Sequence, residues 1–151
     1  MSEREKARPD GSFRQRVLTG RFAGILRWDD LERLWDRLAA ESAGWYVYQV
    51  GEAPPEQPLE ASDFQRFLAE VDALLRQEHD EDYCGIVYAD DHDHPTLVKI
   101  YDPNNLGASC GSSGRFIPPR WLLSRQRPET IEEPVTPANR RRWWRRLFGG
   151  G

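Results

Sequence analysis

The sequence is poor in cysteine, lysine and methionine, and it contains no long apolar run. Two cysteines in 151 residues exclude a disulfide-dense scaffold, and a chain of this length can bury a core without disulfides or metal. No segment reaches the ~18–20 consecutive apolar residues of a membrane-spanning helix. Residues 1–12 are charged and lack the apolar segment of a secretory signal. We therefore expect a cytoplasmic protein with free thiols and no cofactor.

Acidic residues outnumber basic ones in most of the chain, and an excess of positive charge is found only at its C-terminal end. The net charge is −4, but residues 140–151 contain five arginines and no acidic residue. Residues 1–139 hold the other 16 basic side chains and all 25 acidic ones, a net charge of −9. An acidic body argues against binding double-stranded nucleic acid, because phosphate neutralisation needs clustered Lys and Arg. It permits another hypothesis, an acidic inhibitor or immunity-type protein that covers a basic surface.

Two segments have the apolar periodicity of amphipathic helices. The first begins at Asp29, which has capping-box spacing to Glu32, and the second begins at Ser62, which has the same spacing to Gln65. Apolar residues then recur at helical spacing in both segments: Leu31, Leu34, Trp35 and Leu38 in the first, and Phe64, Phe67, Leu68, Val71, Leu74 and Leu75 in the second.

Other segments have the composition of β-strands: 13–26 as one or two strands, 45–50, and the hairpin 83–89 with 96–101. Residues 45–50 are apolar on both faces, which indicates an interior strand. The segment at Trp121 is a short strand or helix. The order β-α-β-α-β-β predicts an α+β fold with a small mixed or antiparallel sheet and two helices on one face, since each helix has one apolar stripe to bury. A ferredoxin-like two-layer sandwich is one candidate topology.

The composition also predicts how the chain is divided. We expect a disordered leader over 1–12, a single α+β domain over 13–127, a Pro- and Glu-rich linker over 128–139, and a basic-aromatic tail over 140–151.

The loop Asp90–His94 contains five consecutive residues that can act as metal ligands. His92 and His94 would lie on the same side of an extended loop, so a carboxylate–histidine site for zinc, iron or manganese is one hypothesis. The alternative is a polar hairpin loop in which Asp side chains bond to the nearby backbone. The spacing of these possible ligands matches no zinc signature, and the loop lacks the Gly and Glu of an EF-hand loop.

The small-residue segment 107–115 can bring backbone N–H groups together around an anion. The candidate ligand-binding residues are Cys110, Gly111, Ser112, Ser113, Arg115 and Arg120, with the arginines as a clamp. The segment lacks the Gly-Lys-Ser/Thr ending of a P-loop, and the alternative is an ordinary surface loop. Hairpin pairing places Cys84 at the opposite end from the two loop histidines, which disfavours a Cys–His dyad. A redox pair of Cys84 and Cys110 remains open.

The C-terminal segment Arg140–Phe148 is amphipathic on a helical wheel. Trp143, Trp144, Leu147 and Phe148 share one arc, and Arg141, Arg142, Arg145 and Arg146 lie opposite, with Arg140 as the exception. Tryptophans beside a basic face suit the headgroup region of an anionic membrane. The alternatives are a partner protein, folding back onto the acidic body, disorder, and single-stranded nucleic acid. The expected docking residues are Trp143, Trp144, Arg145, Arg146, Leu147 and Phe148.

These observations favour a non-enzymatic cytoplasmic adaptor or regulator, peripheral to the inner face of the membrane. Its basic-aromatic tail is expected to dock on an anionic membrane surface or on a partner protein. The first alternative is a small-ligand or anion-binding protein or enzyme that uses loop 107–115. The second is the acidic inhibitor. We assign no catalytic residue, and nothing in the sequence indicates an oligomeric state.

Overall fold

Five antiparallel strands form one open sheet, and helices pack against both of its faces. The computed structural model describes residues 11–79, 81–82, 84–103, 118–131 and 138–149. Within these ranges the elements are α1 (Phe13–Thr19), β1 (Ala23–Ile25), α2 (Trp28–Ala40), β2 (Tyr46–Gln49), α3 (Ala61–Glu78), β3 (Val87–Ala89), β4 (Leu97–Ile100), β5 (Trp121–Ser124) and α4 (Ala138–Trp144), which continues as a π-helical turn (Arg145–Gly149). The α+β fold class predicted from the sequence is confirmed.

The strand order is β1-β3-β4-β5-β2, so β1 and β2 are at the two edges of the sheet. The hairpin expected from residues 83–89 and 96–101 is present as β3 and β4, with Val87 opposite Ile100. Of the two sheet types expected, the antiparallel one is formed. Because three consecutive strands follow α3, the element order departs from the β-α-β-β-α-β order of a ferredoxin-like sandwich.

Helices α2 and α3 pack on the same face of the sheet and form the main core with it. Every apolar residue of the two predicted stripes is buried there: Leu31, Leu34, Trp35, Leu38, Phe64, Phe67, Leu68, Val71, Leu74 and Leu75. The rings of Trp45 and Phe64 stack with centroids 5.5 Å apart. Trp35 Nε1 donates a hydrogen bond of 3.0 Å to Asp72, which ties α2 to α3. Each large apolar side chain buried in this core contributes about 1.5–3 kcal/mol.

Residues 13–19 form helix α1, so the expectation of strands throughout 13–26 was wrong in its first half. The backbone N–H of Gln15 donates to Ser12 Oγ at 3.1 Å, an N-cap contact. Phe13 and Val17, one helical turn apart, are buried against the second face of the sheet. Two buried apolar residues in a helix this short are too few for periodicity to separate a helix from a strand.

Both long helices begin two residues earlier than capping-box spacing predicts. Helix α2 has Arg27 as its N-cap and Asp29 inside its first turn, without a side-chain cap. Asp29 still stabilises the helix there, because negative charge is favourable at a helix N-terminus. Helix α3 also starts without a side-chain cap. Gln65, expected to complete a capping box, donates instead to Ser42 Oγ at 2.8 Å.

Strand β2 lies at an edge of the sheet, which corrects the expectation of an interior strand. Both of its faces are apolar because both are covered. Val47 belongs to the core under α2 and α3, whereas Tyr48 packs against α1, with its ring 6.3 Å from that of Phe13. An edge strand between two packed layers therefore has the composition of a central strand.

The predicted leader and linker are only partly described, since residues 1–10 and 132–137 lie outside the described ranges. Within residues 128–131, Ile131 packs on the second face of the sheet, and Glu129 and Thr130 accept hydrogen bonds from Arg14 of α1. The side chain of Ile131 is buried there, and its backbone N–H donates to the Tyr48 hydroxyl at 3.0 Å. The first residues of the predicted linker therefore contact the body.

Candidate functional site: the seated C-terminal helix

The C-terminal segment packs against the chain's own body as α4 and the π-helical turn that follows it. Trp143 and Leu147 are only 9% and 7% exposed and belong to the main core. The ring of Trp143 lies 5.3 Å from that of Trp121, and Phe67 meets Trp143 edge-on at 6.0 Å. Phe67 also stacks with Phe148, at 6.3 Å between centroids. Of the alternatives left open by the sequence, the tail adopts the one in which it folds back onto the acidic body.

Arg140 anchors the start of the tail in a buried ion-pair cluster. Its Nε donates to Asp102 Oδ2 at 2.9 Å, and its Nη2 donates to Asp102 Oδ1 at 2.8 Å and to Glu78 Oε1 at 2.7 Å. Asp102 also accepts from Arg120 Nε at 3.3 Å. The side chains of Arg140 and Asp102 are 3% and 5% exposed. Among the described residues, two arginines and two carboxylates form this cluster, and buried charges are tolerated when they are paired in this way.

The cluster keeps Arg140 in its charged form. Burial alone would lower the pKa of Arg140, but the hydrogen bonds and charges of Asp102 and Glu78 outweigh burial and raise that pKa above its ordinary value. The Arg140 guanidinium carbon also lies 5.7 Å from the centroid of the Trp121 ring, within cation–π range. Arg140 is the one arginine outside the basic arc of the helical wheel, and the structure gives the reason: it faces the body.

The other arginines of the helix are mostly at the surface. Arg142, Arg145 and Arg146 are exposed, and among the described residues no carboxylate pairs with any of them. These three residues are termed the arginine face. Trp144 and Phe148 are half-buried and contact each other edge-on at 4.7 Å between ring centroids. The seated helix therefore covers apolar side chains and adds exposed cations to a body of net charge −9.

The loop after β3, the predicted metal site, is a hydrogen-bonded turn. Asp91 Oδ1 accepts from the backbone N–H of His94 at 3.1 Å and of Asp93 at 2.8 Å, and these hydrogen bonds lower the pKa of Asp91. His92 Nε2 lies 3.1 Å from the carbonyl oxygen of Ala23. Within the part of the chain that the structure describes, no three His, Cys, Asp or Glu residues are grouped to hold a metal ion. These contacts support the alternative interpretation, a polar turn that contains His92 and His94.

The whole of the predicted ligand loop 107–115 lies outside the described ranges, including Cys110, Gly111, Ser112, Ser113 and Arg115. Arg120 is described and its side chain is 3% exposed. Its Nη1 donates to the carbonyl oxygen of Val50 at 2.9 Å, and its Nε donates to Asp102. Arg120 is therefore part of the buried cluster, and its predicted role in an anion clamp with Arg115 stays a prediction, because Arg115 lies outside the described ranges.

Cys84 is a core residue whose thiol is fully buried. Burial raises the pKa of this thiol, which disfavours the reactive thiolate. His79 Nε2 lies 2.8 Å from the carbonyl oxygen of Cys84, so this imidazole meets the backbone of the cysteine. The possible partner Cys110 lies outside the described ranges.

Sequence reasoning missed the two carboxylates that hold the tail. Asp102 begins a segment with the composition of a turn (DPNNLG), and Glu78 lies in an acidic cluster with Asp80, Glu81 and Asp82 that is typical of a solvated connector. Neither pattern predicts a buried ion pair. One signal was present, the position of Arg140 outside the basic arc. A buried arginine needs an acidic partner, but the chain offers 25 acidic residues and the pattern does not indicate which one.

The tail helix is much shorter than a membrane span, and no helix among the described residues is both long and apolar enough to be one. The apolar side of this helix packs on the body, and its arginine face is exposed. The arginine face is therefore the part of the helix that can bind another molecule. Comparison of the chain with protein-family models, with curated proteins and with solved structures finds no match.

Proposed function

We propose that the protein is a non-enzymatic adaptor or regulator that binds an anionic membrane surface through the arginine face of its seated C-terminal helix. The observation that carries the proposal is the arrangement of this helix. Its apolar side chains pack on the body, while Arg142, Arg145 and Arg146 are exposed and unpaired within the described ranges. A group of cations held by a folded body is attracted to anionic lipids.

Three arginines are enough for weak and reversible association. Each basic residue near an anionic surface contributes about 1 kcal/mol, so the arginine face supplies about 3 kcal/mol. That energy corresponds to roughly a 100-fold gain in affinity. The acidic body is repelled by the same surface, which orients the molecule with α4 towards the lipid. Because salt screens exposed charges, the association should weaken as ionic strength rises.

The tail aromatics remain on the body in this mode of binding. Moving Trp143 and Leu147 into a membrane would exchange one apolar environment for another, and it would expose the apolar surface of Phe67 to water. It would also remove one partner from a buried ion-pair cluster, at a cost of about 3–5 kcal/mol. Presentation of the arginine face is therefore favoured over insertion of the aromatic side chains.

A lipid surface suits the arginine face better than a partner protein does. A stable protein–protein interface buries about 800 Å² on each partner, and the exposed side of a helix as short as this one offers much less. A lipid surface needs no shape complementarity. Since the cytoplasmic leaflet carries the anionic lipids, we infer a cytoplasmic protein that is peripheral to the inner face of the membrane.

Co-sedimentation of the full-length protein with vesicles tests the proposal. Vesicles of phosphatidylcholine alone are compared with vesicles that also contain phosphatidylserine, each at low and high salt. We expect binding only to the anionic vesicles and only at low salt. The variant with Arg142→Glu, Arg145→Glu and Arg146→Glu should lose this binding. Unchanged binding by this variant, or no binding by the native chain, would overturn the proposal.

A second triple variant is the matched control. Arg21→Glu, Arg27→Glu and Arg33→Glu change the net charge by the same amount at exposed positions before and within α2. This control should keep most of the vesicle binding. Equal loss in both variants would mean that net charge, and not the arginine face, governs binding. Each exposed substitution should change the free energy of unfolding by less than about 0.5 kcal/mol, which circular dichroism during urea unfolding verifies.

A further inference from the structure

Helix α1 and Ile131 pack on the second face of the sheet. Another part of that face carries aromatic side chains around a lysine. These side chains are Phe22, Tyr88, Lys99 and Tyr101, all half-buried, and together they are termed the lysine–aromatic face. Tyr88 on β3 is directly opposite Lys99 on β4, Phe22 immediately precedes β1, and Tyr101 immediately follows β4. The lysine–aromatic face therefore extends across three neighbouring strands.

Close contacts hold the rings of this face. The Tyr88 ring lies over Gly24, since a Cβ atom added at Gly24 would be 3.2 Å from Tyr88 Cε2. Tyr88 and Tyr101 meet edge-on with centroids 5.7 Å apart. Lys99 Nζ lies 4.1 Å from the centroid of the Phe22 ring, so the lysine side chain extends across β3. Glycine at position 24 gives the Tyr88 ring room to lie across the sheet.

Lys99 has an aromatic partner but no acidic partner among the residues that the structure places. Burial lowers the pKa of Lys99, because a desolvated ammonium group is disfavoured relative to the neutral amine. Within the same residues, the hydroxyls of Tyr88 and Tyr101 make no hydrogen bond. Lysines that form imines in proteins are activated by desolvation of this kind, which lowers the pKa of the amine.

We propose that Lys99 is a covalent binding site for planar aromatic aldehydes, which it holds as an imine. The neutral amine of Lys99 attacks the carbonyl carbon. The carbonyl oxygen takes up the proton that the nitrogen releases, and a carbinolamine forms. The carbinolamine then loses water and a carbon–nitrogen double bond replaces its carbon–oxygen bond. The step needs no oxidant or reductant, and addition of water reverses it.

The surroundings of Lys99 select the class of aldehyde. The rings of Phe22, Tyr88 and Tyr101 offer faces and edges against which a planar ring packs. The hydroxyls of Tyr88 and Tyr101, which make no hydrogen bond within the described ranges, can donate one to a polar substituent on that ring. Aromatic packing should give an aromatic aldehyde an advantage of about two- to tenfold over a straight-chain aldehyde.

Borohydride trapping tests the proposal. The full-length protein is treated with carboxybenzaldehyde and borohydride, and the reduced adducts are located by mass spectrometry. The chain has only two lysines, Lys6 and Lys99, so each is the internal reference for the other. We expect Lys99 to carry several times more adduct than Lys6 in the folded protein, and equal amounts on both after unfolding in urea. Equal labelling of the two lysines in the folded protein would overturn the proposal.

Two comparisons test the predicted selectivity. Butanal in place of carboxybenzaldehyde should label Lys99 about two- to tenfold less. Phe22→Leu should reduce this aromatic preference while leaving Lys99 reactive, and Lys99→Arg should remove the adduct at that position. Equal labelling by the two aldehydes in the native chain would overturn the assignment of an aromatic aldehyde. Circular dichroism shows whether each variant keeps the fold.

Discussion

Replacement of Arg140 should release the C-terminal helix from the body. Arg140→Met removes the guanidinium and keeps an unbranched side chain in its place. Three hydrogen bonds to Asp102 and Glu78 disappear, and Asp102, which is 5% exposed, loses one of the two arginines that pair with it among the described residues. Removing one partner from a buried ion pair costs about 3–5 kcal/mol. Because Asp102 keeps Arg120, we expect a loss of about 3 kcal/mol in the free energy of unfolding.

Urea unfolding monitored by circular dichroism and tryptophan fluorescence measures this loss. With a urea slope of about 1–3 kcal/mol per molar, the unfolding midpoint of Arg140→Met should fall by roughly 1–3 M. Arg142→Met is the matched control, because Arg142 is exposed on the same helix. That control should change the free energy of unfolding by less than about 0.5 kcal/mol.

A double-mutant cycle with Asp102→Asn assigns the effect to the ion pair. In the Asp102→Asn background, Arg140→Met should cost less, with a coupling energy of about 0.5–3 kcal/mol between the two sites. Equal effects of Arg140→Met and Arg142→Met would show that the buried cluster does not hold the helix. Additive effects of the Arg140 and Asp102 substitutions would show the same.

Three further predictions concern the core, a turn and a thiol. Phe67→Ala should lower the free energy of unfolding by about 3–5 kcal/mol, because the ring is fully buried and contacts Trp143. Urea unfolding measures this loss, and Leu18→Ala, at a position that is 39% exposed, is the control. Similar losses in the two variants would contradict the prediction. Gly44→Ala should lower the free energy of unfolding by about 1–2 kcal/mol, because Gly44 has a φ of 90°, which a residue with a Cβ atom rarely adopts. An unchanged thermal midpoint would contradict this prediction. Burial raises the pKa of the Cys84 thiol in the folded state. The stability that the protonated thiol contributes is therefore complete below about pH 8.5, and it is lost as the pH rises through the folded-state pKa. Urea unfolding at increasing alkaline pH should show a steeper decline for the native chain than for Cys84→Ala, and parallel declines would count against this assignment.

Long periodic segments were predictable from the sequence, and short ones were not. Helices α2 and α3 repeat their apolar positions over several turns, and only the face of a helix can place such residues together. Helix α1 buries only Phe13 and Val17, a spacing that a strand also permits. Strand β2 has apolar residues on both faces, but its place at the edge of the sheet depends on β5, which is distant in the chain.

The composition of the candidate site was predictable, and its location was not. The amphipathic arrangement of the tail follows from the positions of its tryptophans and arginines alone. The position of the tail on the body depends on contacts between Arg140 and two carboxylates, Asp102 and Glu78. These residues are 38 and 62 positions away in sequence. No local pattern indicates which acidic residue a distant arginine meets, because the pairing exists only after β4 and α3 have packed together.

Fluorescence quenching by brominated lipids tests most directly whether the arginine face meets the membrane while the tail stays seated. The full-length protein is bound to phosphatidylserine-containing vesicles whose lipids carry bromine deep in their acyl chains, and a free peptide of residues 138–151 is the control. The predicted result is binding with unquenched tryptophan emission for the full-length protein, and strong quenching for the peptide, whose Trp143 and Trp144 are free to insert. Quenching of the bound full-length protein as strong as that of the peptide would contradict the proposal, because it would mean that the tail leaves the body on binding.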